Sequence, residues 1–184
     1  MTKLVIAVLI SLISSSALAT LPEVEWTPEA RITLARAVVA EADWSTRDHA
    51  AIAWVLKRRW EQRQKVQPQW TFLDQVNAYC AGMKSDTERS RWFRDLPEDP
   101  YGAPPDHWPY KRAWNTYQAD WARVLRLVDA WQRGAVRDPC RGRAMHWGSS
   151  EDSERPAAGK WSLVQCGATL NLFWQTPLPR PTAR

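Results

Sequence analysis

The stretch Leu34-Ala-Arg-Ala-Val-Val-Ala-Glu41-Ala-Asp-Trp44, running into Ser45-Thr-Arg-Asp-His-Ala-Ala-Ile-Ala-Trp-Val-Leu-Lys-Arg-Arg59, decides how the chain is read. At about 100° per residue, Glu41 falls on one stripe with Leu34, Ala37 and Val38, while Ile32, Ala35 and Val39 make the opposite side apolar. The helix is therefore expected to be buried all round rather than amphipathic. A carboxylate lodged in it loses hydration and holds its proton harder, and the negative end of the helix macrodipole pushes the same way. That is the environment of a general acid, and Glu41 is the candidate catalytic residue. The plainer alternative is that Glu41 pairs with Arg36 or Arg58, or frays into solvent where the helix ends beside Asp43.

Working outward, Thr27 is positioned to cap this first helix, with Pro28 at its first turn, and the apolar pattern carries it to about Ala42. Ser45 or Thr46 starts a second helix that buries Ala50, Ala53 and Trp54 and stops ahead of Pro68. Thr71 opens a shorter one to about Tyr79, and Ser85 or Asp86 another through Trp92. Leu96 to Pro109, with Pro97, Pro100, Pro104 and Pro105, reads as an irregular surface loop. The longest helix is expected from about Tyr110 to Arg133, with Trp114, Tyr117, Trp121, Leu125, Val128 and Trp131 on its buried face and Gly134 at its end. Short runs at Ala144 to Trp147, Trp161 to Gln165 and Thr169 to Trp174, bounded by glycines, read as a small antiparallel sheet. The fold class is α+β, mostly helical with a small C-terminal antiparallel β-element.

Residues 1 to 19 pair Lys3 with an apolar run from Leu4 to Ile13 and end in Ala17-Leu-Ala19, the pattern of a cleaved signal peptide. Export without a stable membrane anchor is expected, because that run is about half of what a spanning helix needs. Residues 20 to 184 read as one domain, with extended ends at Leu21 to Trp26 and in a Pro-rich tail from about 176. Three cysteines in an oxidising compartment imply one bridge and one free thiol. Cys140 with Cys166 is favoured, since both flank the expected strands and the bridge would stabilise by about 3 kcal/mol. Cys80 with Cys140 is the alternative pairing; otherwise Cys80 is a buried small hydrophobe.

The net charge of +5 and pI near 9.4 favour an anionic partner. The arginines, as in Arg58-Arg59, Arg89-Ser-Arg91 and Arg123-Val-Leu-Arg126, are dispersed along helices and read as a solvated surface rather than a nucleic-acid tract. Thirteen tryptophans is far above ordinary usage, and most, at helical spacing, belong to the core.

The opening segment resembles the cell-wall hydrolase family typified by the spore-cortex-lytic enzymes. That family's helix runs Leu-Ala-Arg, two apolar residues, a small residue or Tyr, then Glu-Ala, and its next helix carries Ala-x-Ala-x-Val-x-x-Asn-Arg, which Ala51 to Arg59 matches loosely. Weaker echoes are Gly142-Arg-Ala-Met-His-Trp-Gly148 for Gly-Ala-Leu-Tyr-Phe, and Cys166-Gly-Ala-Thr-Leu-Asn-Leu-Phe173-Trp174 for Ile-Gly-Asn-His-x-Phe-Tyr. The family continues after its glutamate with Ala-Arg-Gly-Glu-Pro, whereas this chain has Ala42-Asp43-Trp44-Ser45-Thr46, so the second glutamate is missing. The resemblance implies a lysozyme-like core acting on peptidoglycan glycan strands, with Glu41 as acid and with Trp147 in the segment that matches the family's strand; Trp44, three residues after the acid, His146, as a donor to an acetamido carbonyl, and Asn171 are the other substrate-binding candidates.

Glycoside cleavage ordinarily takes two carboxylates, and none of Asp43, Asp48, Asp74 or Glu151 has motif support as the second. A lone acid suits lytic transglycosylation, in which the muramic acid's own 6-hydroxyl replaces water. The expected protein is thus a secreted, periplasmic or extracellular, monomeric lytic transglycosylase or muramidase, with no metal and no cofactor. A zinc amidase would need clustered ligands, whereas His49, His107 and His146 are scattered. The alternatives are a catalytically silent cell-wall-binding module on the same scaffold and a basic nucleic-acid binder with steep salt dependence.

Overall fold

The computed structural model describes residues 23–42, 44–84, 86–104, 106, 111, 114–148, 161–167 and 171–175. The expected signal peptide, Asp43, His107, Glu151 and the tail from about 176 lie outside these residues. Six helices and three strands follow one another: α1 (Pro28–Ala42), α2 (Thr46–Gln64), α3 (Phe72–Tyr79), α4 (Ala81–Lys84), α5 (Glu88–Arg94), α6 (Trp114–Gln132), β1 (His146–Gly148), β2 (Ser162–Val164) and β3 (Leu172–Gln175). The class is α+β, mostly helical with a small antiparallel sheet.

The all-round apolar character of α1 makes it the centre of the molecule. Ile32, Leu34, Ala35, Ala37, Val38 and Val39 are almost completely buried, and α1 packs against each of the other five helices. Its start is fixed as its sequence suggests, with the Ala30 N–H donating to Thr27 Oγ1 at 3.0 Å. α3 begins with a reciprocal capping box between Thr71 and Asp74. Gly134, at φ 70°, supplies the left-handed residue just past α6.

The tryptophans hold the core together in two ways. Trp26, Trp54, Trp60, Phe72 and Trp131 form one aromatic cluster, with ring centroids 5.5 to 5.9 Å apart. Elsewhere indole N–H groups staple loop carbonyls to helices: Trp121 donates to Pro97 O and Trp114 to Gly102 O, both at 2.8 Å, tying α6 to the Pro-rich loop. The segment before α1 is irregular, as expected, yet not loose. Val24 is buried and Trp26 sits in the aromatic cluster, because the rings of α3 and α6 would otherwise meet water there.

The sheet has the order β1-β3-β2, antiparallel throughout. Trp147 and Val164 both pair with Phe173, so these three side chains share one face, and Phe173 and Val164 are buried. The Cys140–Cys166 disulfide joins the segment entering β1 to the turn between β2 and β3. Cys80 is a free, fully buried thiol, and its burial and the nearby charge of Glu41 push its ionisation well up.

Arg58 and Arg59 depart from the solvated reading. Arg58 Nε donates to Ala144 O at 2.7 Å and its Nη1 pairs with Asp138, while Arg59 Nη1 donates to Met145 O at 3.2 Å. The chain entering β1 lies across this face of α2, and its carbonyls need donors that α2 supplies.

Asp48 ties the other end of the sheet to α2. Fully buried in the first helical turn, it accepts from the Asn171 backbone N–H at 2.9 Å and from the Ser45 hydroxyl. Replacing it leaves a backbone donor without a partner at the entrance to β3. Asp48→Ala is expected to lower stability by about 1–3 kcal/mol in urea unfolding with an unchanged slope. An unaltered midpoint would show that this tie carries no weight.

Candidate functional site

Glu41 stands in the last turn of α1, partly exposed, with its carboxyl group held from two sides. The backbone N–H of Gly82 donates to Oε1 at 2.9 Å, and the indole N–H of Trp147 donates to Oε2 at 3.1 Å. The first donor comes from α4, packed directly against α1, and the second from β1, more than a hundred residues away in sequence. The guanidinium partners that a plain reading would assign are engaged elsewhere: Arg36 donates to Leu96 O, and Arg58 binds Asp138 and Ala144.

Gly82 can approach this closely only because it lacks a side chain. A Cβ at that position would lie 2.7 Å from Ala40 Cβ and 3.1 Å from Ala40 O. The small residue at 40 and the glycine at 82 together let α4 lie against the end of α1.

Tyr79, the last residue of α3, joins Glu41 to the second half of the site. Its ring meets Trp147 edge-on at 5.0 Å, and Arg59 lies over its other surroundings with the guanidinium carbon 3.6 Å from the ring centroid. The Tyr79 hydroxyl is hydrogen-bonded to His146 Nδ1 at 2.7 Å, and burial raises its ionisation above the ordinary phenol value, keeping the phenol proton in place. Arg59 Nη1 lies 2.9 Å from Nδ1 and 3.4 Å from Nε2, so the guanidinium approaches both ring nitrogens. The His146 ring stacks on Trp161 at 3.9 Å.

Burial, followed by the charge of Arg59, lowers the His146 ionisation from 6.5 to about 4. The unfolded chain takes up this proton near 6.5, where the folded ring does not, so the contribution to stability is complete above 6.5 and is lost as pH falls toward about 4. An NMR titration of the ring should show its midpoint near 4, and His146→Asn should flatten the stability profile across that window. A midpoint near 6.5 would contradict the packing described.

Of the side chains expected to bind substrate, the structure brings Trp147 onto Glu41 and His146 beside it through Tyr79. Trp44 is placed differently: it packs against Tyr117 at 5.6 Å and Phe93 at 6.5 Å, in the aromatic layer between α5 and α6. Asn171 uses its backbone N–H to hold Asp48 at the start of β3. Arg59, Tyr79 and Gly82 were not legible as site residues. Tyr79 and Gly82 read simply as a helix end, and Arg59 as one of several surface cations.

Among the described residues, no three His, Cys, Asp or Glu side chains converge in a way that could hold a metal ion. None of the described helices is long and apolar enough to cross a membrane. Comparison with protein-family models, with curated proteins and with solved structures finds no match to this chain.

Proposed function

We propose that the chain is a secreted peptidoglycan glycan-strand cleaving enzyme, a lytic transglycosylase or muramidase with a lysozyme-like core, in which Glu41 is the general acid and base. The observation that carries this reading is the seating of Glu41: a partly exposed carboxyl at the end of a buried helix, aimed by one N–H on each oxygen. A carboxyl group so fixed keeps its orientation, and a general acid must be positioned within reach of the atom it protonates.

On this reading Glu41 gives its proton to the glycosidic oxygen as the bond to C1 of the muramoyl residue breaks. The carboxylate left behind is stabilised by the Gly82 and Trp147 N–H groups. It then takes the proton of the muramoyl 6-hydroxyl as that oxygen closes on C1, yielding a 1,6-anhydro product. No second carboxylate is needed, which suits a chain lacking the second glutamate of the family it resembles. The Cys140–Cys166 disulfide supports an oxidising, exported location.

Incubation of the mature protein with purified sacculi tests this directly. Release of anhydro-muropeptides supports transglycosylation, and release of reducing ends supports a muramidase. Adsorption to sacculi with no release would overturn the enzymatic reading in favour of a wall-binding module.

A further inference from the structure

On the His146 side of Tyr79 lies an open pocket of about 430 Å³, lined by Arg59, Gln62, Arg63, Gln75, Met145 and His146. Its cations are not neutralised as several others in the molecule are. Arg31 pairs with Asp129, Lys57 with Glu61, Arg58 with Asp138 and Arg123 with Asp120. Arg59 and Arg63 meet no carboxylate among the described residues. Arg59 is instead held on Tyr79, and Arg63 lies over the Trp70 ring at 4.0 Å with its Nε donating to Gln67 at 2.9 Å.

One further feature points to a missing acceptor. Arg59 Nε is buried without a hydrogen-bond partner. Gln75, a polar residue only 2% exposed, lines the same pocket. A buried donor without a partner is costly, and two like charges side by side repel, so the arrangement gains most from an anionic, acceptor-rich ligand. His146, whose ionisation is lowered to about 4 by burial and by Arg59, is neutral near pH 7 and adds no charge of its own.

We propose that this pocket binds the carboxylate of an acidic peptide attached to the muramoyl sugar, so that the protein acts on glycan strands that carry peptide stems. The proposal deepens the reading of the Glu41 site and rests on it for the identity of the sugar, but the pocket is tested separately. Tyr79 links the two, touching Trp147 on the Glu41 side and His146 on the pocket side.

The probe is muramyl dipeptide, compared with its carboxyl methyl ester and with inorganic phosphate, in calorimetric or NMR titration of the mature protein. The acid is expected to bind at least tenfold tighter than the ester and than phosphate. Arg63→Gln should weaken the acid at least tenfold. The isosteric Gln62→Glu, which places a like charge in the pocket without changing its shape, should do the same even if Arg63→Gln disturbs folding. Equal binding of acid and ester, equal or tighter binding of phosphate, or no effect of Gln62→Glu would overturn the proposal. Binding of the dipeptide by a protein that does not cleave sacculi would leave the pocket standing and remove the enzyme; cleavage without carboxylate-dependent binding would do the reverse.

Discussion

Glu41→Gln is expected to lower the release of muropeptides from sacculi by about 10²- to 10⁴-fold, the span associated with removing a general acid. The amide has the size and shape of the carboxyl group, so the end of α1 keeps its packing. It cannot satisfy both neighbours, however. Gly82 and Trp147 each present an N–H, and the amide offers one oxygen and one NH₂ group, so one donor faces another donor. A stability loss of about 1–3 kcal/mol is therefore expected alongside the loss of activity. Trp147→Phe separates the two effects: it removes the indole donor at Oε2 while leaving Gly82 and the acid itself in place. Muropeptide release by Glu41→Gln at the unmodified rate, in a protein that remains folded, would exclude Glu41 as the acid.

Which parts of this arrangement the sequence announces depends on the range of the interaction. Features set within a turn or two are legible: the Thr27 cap, the Thr71–Asp74 capping box, the left-handed Gly134, and the burial of α1 from Leu34, Ala37 and Val38. The Cys140–Cys166 bridge follows from arithmetic and from its place beside the strands. The partners of Glu41 are a different matter. Trp147 reaches it across 106 residues, and neither periodicity nor capping encodes such a meeting. Trp147 entered the site only through a faint motif likeness around β1, which also brought in His146. Trp44, chosen for being three residues from the acid, turns instead to Phe93 and Tyr117, because α1 has ended and the helical register no longer predicts direction. Arg59 shows the limit from the other side. A cation on a helix reads as solvated until a strand is laid across it, and here the chain entering β1 supplies the carbonyl and imidazole that hold it.

The short turn of α4 carries the greatest dependence on a single residue. Gly82→Ala places a methyl group 2.7 Å from Ala40 Cβ and 3.1 Å from Ala40 O, neither of which lies at the end of a flexible chain. One of the two helices must move, and α4, a single turn of four residues, is the less firmly seated. Its retreat lengthens the 2.9 Å contact from the Gly82 N–H to Oε1 and frees the carboxyl group to turn about the remaining Trp147 bond. Overpacking of this kind costs about 1–3 kcal/mol, and a displacement of roughly 1 Å at a reacting group can cost up to about 10²-fold in rate. We expect Gly82→Ala to lower both thermal stability and muropeptide release, the latter by about 10- to 100-fold. The double variant Ala40→Gly with Gly82→Ala removes the closer of the two clashes, so it should recover part of the lost activity despite a helix penalty of about 1 kcal/mol at position 40. Recovery identifies the close approach of α4 to α1 as the cause. If Gly82→Ala instead cleaves sacculi and unfolds like the unmodified protein, the backbone donor at 82 is not what aims Glu41.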